Sequence, residues 1–299
     1  MNNKSYCKNA IFILTLAMLS MAFLLPGNLC AANSAPSLVS ITPSAGSSLV
    51  DNAVSFTAVY SDPNGWQDLQ SARLLINTSV TAGNCFYGYY SQNNNKLYLR
   101  DDANTKWLGG FSPGSSNTIE NSYAKLDYSK TTVSYSGNTL TVKWNITFKQ
   151  AFVSTQTKNL YLLATDNSYV NSAWAQKGSW LVESGGQLID SNGGEVISDD
   201  GKVKLIIPQG ALSIPTRIKV SSININAPAP SGTSLIRIVE CKPYGLNFNK
   251  AVQIVYSLSQ AEIPGTPVAL GLYDSVRNKI VLIGQSSVVP VEGYSVTFP

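Results

Sequence analysis

The clearest pattern in the chain is a strict alternation of apolar and polar positions over Thr139–Phe148 (TLTVKWNITF). Leu140, Val142, Trp144, Ile146 and Phe148 share one face, and Thr139, Thr141, Lys143, Asn145 and Thr147 share the other. Successive side chains of a strand point to opposite faces, so this run predicts an antiparallel strand buried on one side. Val54–Ser61 repeats the pattern with Val54, Phe56, Ala58 and Tyr60, and Lys158–Thr165 repeats it with Leu160, Leu162 and Ala164. Further strands are predicted near Leu38–Thr42, Ala72–Asn77, Cys85–Ser91, Lys96–Arg100 and Gln176–Val182. Turn signals separate them at Asn93-Asn94-Asn95, Pro113-Gly114 and Ser136-Gly137-Asn138. Roughly eight short strands at this spacing, without helical periodicity, predict a β-sandwich with Trp144 and Trp180 in its core. A second alternating stretch follows Gly185. Asp200-Gly201 is a tight-turn dipeptide ahead of Val203–Ile207, whose Val203, Leu205 and Ile207 share a face. Pro208 ends that strand because it has no N–H for the ladder, Gly210 permits the reversal, and Ile218 and Val220 resume the alternation. The expected fold class is all-β, with two β-sandwich domains over 33–183 and 184–299.

The first residues differ in character. Lys4 and Lys8 precede Ala10–Leu25, an unbroken run of apolar or small residues; Pro26-Gly27 then interrupts it, and Cys30-Ala31-Ala32 supplies small residues for cleavage. This predicts a signal peptide over 1–32. A run of about 16 residues falls short of the ~20 a membrane-crossing helix needs, so no membrane span is expected after cleavage. Leu29 sits where a lipoprotein signal wants a small residue, which disfavours lipidation of Cys30. The expected location is secreted, periplasmic or cell surface. Cys7 and Cys30 leave with the leader, and Cys85 and Cys241 fall in separate domains, so no disulfide framework is expected.

Composition narrows the chemistry. The 299 residues carry 21 basic and 17 acidic side chains, for a net charge of +4. Two of the lysines lie in 1–32, so the processed chain is near neutral and lacks the basic field that nucleic acid requires. There is no histidine, which removes Ser-His-Asp and Cys-His nucleophiles and His-dependent metal sites. No CxxC and no phosphate-cradling glycine motif after a strand is present.

The residues also carry two resemblances. TPSAGSS, YSDPNGWQDLQSARLLIN, CFYGYYSQNNNKLYLRDD, LGGFSPGSS, ITFKQAF and LYLLATDNSYVNSAW, spread over Ile41–Val182, resemble an immunoglobulin-like module of bacterial secreted and surface proteins. That family often pairs a cysteine near Cys85 with one in a following NSQC-type segment; here the segment is Asn121-Ser122-Tyr123-Ala124, so Cys85 is expected to be a free, buried thiol. GGQLIDSNGGEVISDDGKVKLIIPQGALSIPTRIKVSSI, from Gly185, resembles the opening of the ZU-five module shared by zonula occludens proteins, ankyrins and netrin receptors. Gly245–Tyr256 resembles that family's later strand pair, with Ala251 where a proline is usual. Some members cleave themselves at a His-Phe-Ser sequence near the last strand. This chain has no histidine and reads Thr297-Phe298-Pro299 there, so self-cleavage is not expected; either a final strand is missing or the fold is completed differently. Both modules usually occur within larger surface or secreted proteins.

Three groups of residues are candidates for function. Asp62, Asn64 and Asp68 lie after one predicted strand and Asp166 and Asn167 after another, at the same end of an immunoglobulin-like sandwich. Oxygen ligands of this kind suit calcium, while the competing reading is that they hydrogen-bond their own turns. Trp66 and Trp174 fall in the same two loops, where they either contact a ligand or close the core. Tyr87, Tyr89 and Tyr90, with Phe86 and Tyr98, form an aromatic hairpin that is either a recognition surface or a strand with one solvated face. The sequence thus points to a non-catalytic exported protein for extracellular binding, adhesion or surface display. Its expected partner is an extracellular protein or a polysaccharide, and its oligomeric state is left open. The rivals are a carbohydrate-binding protein using these aromatics and a hydrolase with paired carboxylates, although most acids lie in turn dipeptides such as Asp101-Asp102 and Asp199-Asp200.

Overall fold

A computed structural model of the chain describes residues 32–257, apart from 225, 230 and 232–236, together with the backbone of the strands between 267 and 298. Of the expected leader, all but Ala32 lies outside the described residues. The strands of the first body are β1 (Ser37–Thr42), β2 (Ala45–Leu49), β3 (Ala53–Ser61), β4 (Leu69–Asn77), β5 (Phe86–Ser91), β6 (Lys96–Arg100) and β7 (Trp107–Phe111). They continue with β8 (Thr118–Glu120), β9 (Ala124–Asp127), β10 (Thr132–Ser136), β11 (Thr139–Phe148), β12 (Lys158–Asp166) and β13 (Ala175–Glu183). One sheet runs β1-β3-β11-β9-β8, with β10 also paired to β11; the other runs β2-β13-β12-β4-β5-β6-β7.

The alternating runs lie near the middle of these sheets. The apolar faces of β11, of Phe56, Ala58 and Tyr60 in β3, and of Leu160, Leu162 and Ala164 in β12 are all 0% exposed. β3 and β11 are neighbours, with Trp144 opposite Phe56. Trp180 meets Phe56 edge-on with centroids 5.1 Å apart and donates its indole N–H to Ser48 Oγ. Both tryptophans are core residues, as the pattern predicts. Five strands, β2 and β7–β10, escape the pattern. The AGSSL of β2 has no alternation; it is held by parallel backbone pairing to β13, and at Gly46 a Cβ would stand 2.6 Å from the Trp180 ring. Asn77 and Asn145, which head glycosylation sequons, are both buried.

The second group of strands is β14 (Gln187–Ile189), β15 (Gly194–Ile197), β16 (Val203–Ile207), β17 (Thr216–Ile223), β18 (Ile238–Lys242) and β19 (Gln253–Ser257). β20 (Pro267–Asp274), β21 (Lys279–Ser287), β22 (Val289–Pro290) and β23 (Tyr294–Phe298) follow. They form the sheets β14-β17-β18, β15-β16-β19-β23-β22 and β20-β21. Val203, Leu205, Ile207, Ile218 and Val220 share a core with Ile189, Val196 and Leu212. The stretch Gly245–Tyr256 is not a strand pair: only its end enters β19, while Leu246, Phe248 and Val252 pack irregular chain against that core. The chain is all-β, and among the described residues no helix is long and apolar enough to cross a membrane.

A polar seam joins the two cores. The Asn52 side chain behaves like a strand edge toward Arg217 of β17: its amide donates to the Arg217 carbonyl at 2.9 Å and accepts from the Arg217 N–H at 2.8 Å. Arg217 also pairs with Asp51, and Lys242 pairs with Glu183. Asn52→Ala removes both backbone partners, each loss being worth about 1–3 kcal/mol where water does not replace it. The expected result is a calorimetric trace that splits into two transitions, with the first core's transition little changed. Burial alone would raise the Glu183 pKa, but hydrogen bonds from Lys242 and Ser47 and the fields of Lys242 and Lys219 outweigh it, so Glu183 stays below the usual glutamate range. The stabilisation this implies is present above a glutamate's ordinary value of about 4.3 and is lost as pH falls through the depressed folded value. Acidification across that window should separate the same two transitions, and Glu183→Gln should remove that pH dependence.

Candidate functional site

The loops after β3 and β12 meet at one end of the first sandwich. Asp62 follows β3, Gly65 takes φ 106° to turn the chain, and a short three-ten turn over Trp66–Asp68 leads into β4. Asp166 ends β12, and the next N–H, from Asn167, donates to the Asp68 carbonyl at 2.8 Å. One oxygen from each of Asp62, Asp68 and Asp166 lies within 4.8 Å of the others. Asp62 and Asp166 are 0% exposed.

Turn bonds satisfy only part of this cluster. Asp166 Oδ1 accepts the N–H groups of Ser168 and Val170 at 2.9 and 2.8 Å, and its Oδ2 accepts the Asn33 side-chain amide at 2.9 Å. Asp62 Oδ1 accepts the Asn64 N–H at 2.8 Å, but its Oδ2 is buried with no donor. Burial, opposed by the Asn64 N–H and reinforced by the charges of Asp68 and Asp166, holds the Asp62 carboxyl above the usual aspartate range. Two ionised carboxylates within this separation repel by about 3.5 kcal/mol or more at an effective dielectric constant of about 20. Asn64 and Asn167 tie the pole together instead: Asn64 Oδ1 accepts the Ser34 N–H, while the Asn167 amide bonds Gln67 and Asn93.

The aromatic candidates separate into two patches and the core. Trp66 stacks on Tyr135 of β10 with centroids 4.1 Å apart. Trp174 meets Tyr87 edge-on at 5.7 Å on the outer side of the seven-stranded sheet. There the Tyr87 ring is itself buried with Leu75 and Cys85 beneath Trp107 and Trp174, and so is not an open contact residue. Trp66 and Trp174, adjacent in the loop reading, therefore belong to different surfaces. Tyr90 is not a surface residue: it is 0% exposed on the inward face with Phe86, and its hydroxyl bonds Tyr135 and Asn95. Period two decides this, because Tyr87 and Tyr89 must then point outward.

That outward face continues across the sheet. Tyr89 lies opposite Arg73 of β4 and Tyr98 of β6, and Arg100 lies opposite Trp107. The Arg73 guanidinium sits 5.2 Å over the Tyr89 ring and that of Arg100 sits 4.9 Å over Trp107. Tyr89 and Tyr98 stack at 5.5 Å, and Trp107 contacts both Tyr87 and Tyr89 at 4.9 and 5.1 Å. Arg73, Arg100 and Trp107 escape the sequence reading because their meeting depends on strand register, which alternation does not specify.

Between the two cores lies a cleft of about 770 Å³, lined by residues that include Ser48, Val54, Trp180, Ile214, Pro243 and Tyr244. Its lining contains one charged residue, Lys130, and no acid. A hydrolase site in this cleft would need two carboxylates converging in it. Asp101, in a turn, accepts from Thr105 and Lys106, which hold its pKa near 2, the behaviour of a turn acid.

Residues 185–257 match the ZU5 domain. The match begins just ahead of β14 and ends with β19, so it takes in the core formed by β16 and β17. ZU5 domains are non-enzymatic protein-interaction modules, which agrees with a non-catalytic binding role. No curated protein gives a significant match to the chain.

Proposed function

We propose that the chain is an exported, non-catalytic protein that binds an extracellular protein partner, in adhesion or surface display, through two β-sandwich domains. The ZU5 match is the observation that carries the reading. The first domain is read as immunoglobulin-like. Its sheet orders, with β1, β3 and β11 in one layer and β13, β12 and β4 in the other, support this, because they follow the arrangement of variable-type immunoglobulin sandwiches. Export rests on the leader-like 1–32 segment.

The outer face of the seven-stranded sheet is the recognition surface this reading favours. Tyrosine, tryptophan and arginine are the residue types that carry most binding energy at protein interfaces. A sugar platform needs open ring faces, whereas Tyr89 and Trp107 each carry a guanidinium group over the ring. This favours a protein over a polysaccharide. The test has two arms. Fractionation of the source cells, with sequencing of the mature N-terminus, should find the protein outside the cytoplasm and cut near Ala32; an uncut cytoplasmic chain defeats the reading. Affinity electrophoresis on a polysaccharide panel should show no retardation, and retardation abolished by Tyr89→Ala would favour the carbohydrate alternative.

A further inference from the structure

We propose that Asp62, Asp68 and Asp166 form a calcium site that locks the pole of the first sandwich. Three carboxylates from two loops converge there, and the wholly buried Asp62 keeps one oxygen without any donor. A buried acceptor left unpaired is costly and rare, and beside two like charges it calls for a positive partner. The donor set is all oxygen, which excludes the softer metals that need imidazole or thiolate.

Coordination preference selects among the hard cations. Calcium bonds its oxygens at ~2.3–2.6 Å, so ligands on one shell stand up to about 5 Å apart, and three oxygens within 4.8 Å of one another fit that shell. Magnesium demands near-octahedral order at ~2.0–2.1 Å, which two loops do not readily supply, whereas calcium accepts a looser and larger shell. Six to eight ligands are needed, and the three carboxylates supply only part of them. The Asn33 amide already touches Asp166, and turning its carbonyl oxygen inward adds a ligand; water fills the rest. Asn33 and Ser34 are themselves bonded to the pole, through Asp166 and Asn64, so an ion here also fixes the segment leading into β1. The alternative, a proton shared on Asp62, satisfies the orphan oxygen without any metal.

Calcium titration of the purified full chain decides between them, with terbium as a luminescent probe, since Trp66 lies between two of the ligands in sequence. If the affinity is near the ~0.1 mM of extracellular calcium modules, about 2 mM calcium over chelator should raise the first melting transition by about 4–7 °C. Magnesium should do less. Terbium emission excited through tryptophan should appear and be displaced by calcium. Asp62→Asn should weaken binding at least about tenfold. Should that variant fail to fold, Asp68→Asn, at the partly exposed member, serves the same purpose, while Asp127→Asn elsewhere should leave the shift intact. The proposal is overturned if about 10 mM calcium moves neither the melting temperature nor the heat of titration. It is equally overturned if binding occurs but Asp62→Asn and Asp68→Asn leave its affinity unchanged.

Discussion

Trp144→Ala is expected to destabilise the first sandwich by about 3–5 kcal/mol, lowering its melting transition by about 6–20 °C. The side chain is 0% exposed and faces both sheets: it lies opposite Phe56 within its own sheet and meets Phe86 of the other edge-on, with centroids 6.2 Å apart. The indole occupies space that Gly88 leaves open, because a Cβ there would stand 2.7 Å from the Trp144 ring and 2.9 Å from that of Phe86. Neighbours held by strand pairing cannot collapse into the vacated volume, so the cavity cost adds to the lost transfer energy. Gly88→Ala alone should also destabilise, by overpacking, and should cost less in the Trp144→Ala background. Thermal unfolding of the wild type and the three variants, followed by near-ultraviolet circular dichroism, measures the cycle. A loss below about 1 kcal/mol for Trp144→Ala would contradict a rigid core at this point.

The second large effect is expected at Asn121. Its amide donates to the carbonyls of Cys85 and Arg100 at 2.9 and 3.0 Å and accepts the N–H groups of Tyr123 and Ala124 at 2.9 and 2.8 Å. One buried side chain thus ties the edge of β9, in one sheet, to the start of β5 and the end of β6 in the other. Cys85 is a free, buried thiol and Ala124 has no sulfur, so no covalent bond joins these segments. The amide supplies a non-covalent tie between the same segments. Asn121→Ala leaves two carbonyls and two N–H groups unpaired, and the expected cost is about 2–4 kcal/mol. Asn121→Asp should be no better, because a carboxylate repels the two carbonyls. Cys85 reports the change directly. Burial pushes its thiol up to about 12, so it stays protonated and unreactive in the native protein. Thiol labelling of Cys85 should accelerate in Asn121→Ala, and labelling at the wild-type rate would show that the tie is dispensable.

How much of this was legible depended on whether the signal was local. The three alternating runs marked strands that build the core, and their inward faces are those the sequence specified, because burying one face of a strand requires only its own period. Pro208 and Gly210 likewise marked the end of β16, since a missing N–H and φ of 78° are properties of single residues. Tyr90 obeys the same period: four residues after the inward Phe86 it also faces inward, so it belongs to the core and not to a recognition surface. Gly245–Tyr256 differs, since its apolar residues reach the core from irregular chain and leave no period to read.

The candidate site divides along the same line. Asp62, Asp68 and Asp166 were legible as a group, since connectivity places the loops after two strands at one pole. Their approach to within 4.8 Å, and the oxygen of Asp62 left without a donor, were decided only when the sheets packed and excluded water. The aromatic and arginine face went further beyond the sequence, because pairing Arg73 with Tyr89 and Arg100 with Trp107 requires four strands to align in a particular register. The sequence by itself determined an all-β chain, its buried faces and the types of residue at its loops, because those follow from local geometry and the cost of exposing apolar surface. Only the tertiary structure decided which side chains meet, because contacts between distant segments follow from register and packing between sheets, which no local pattern encodes.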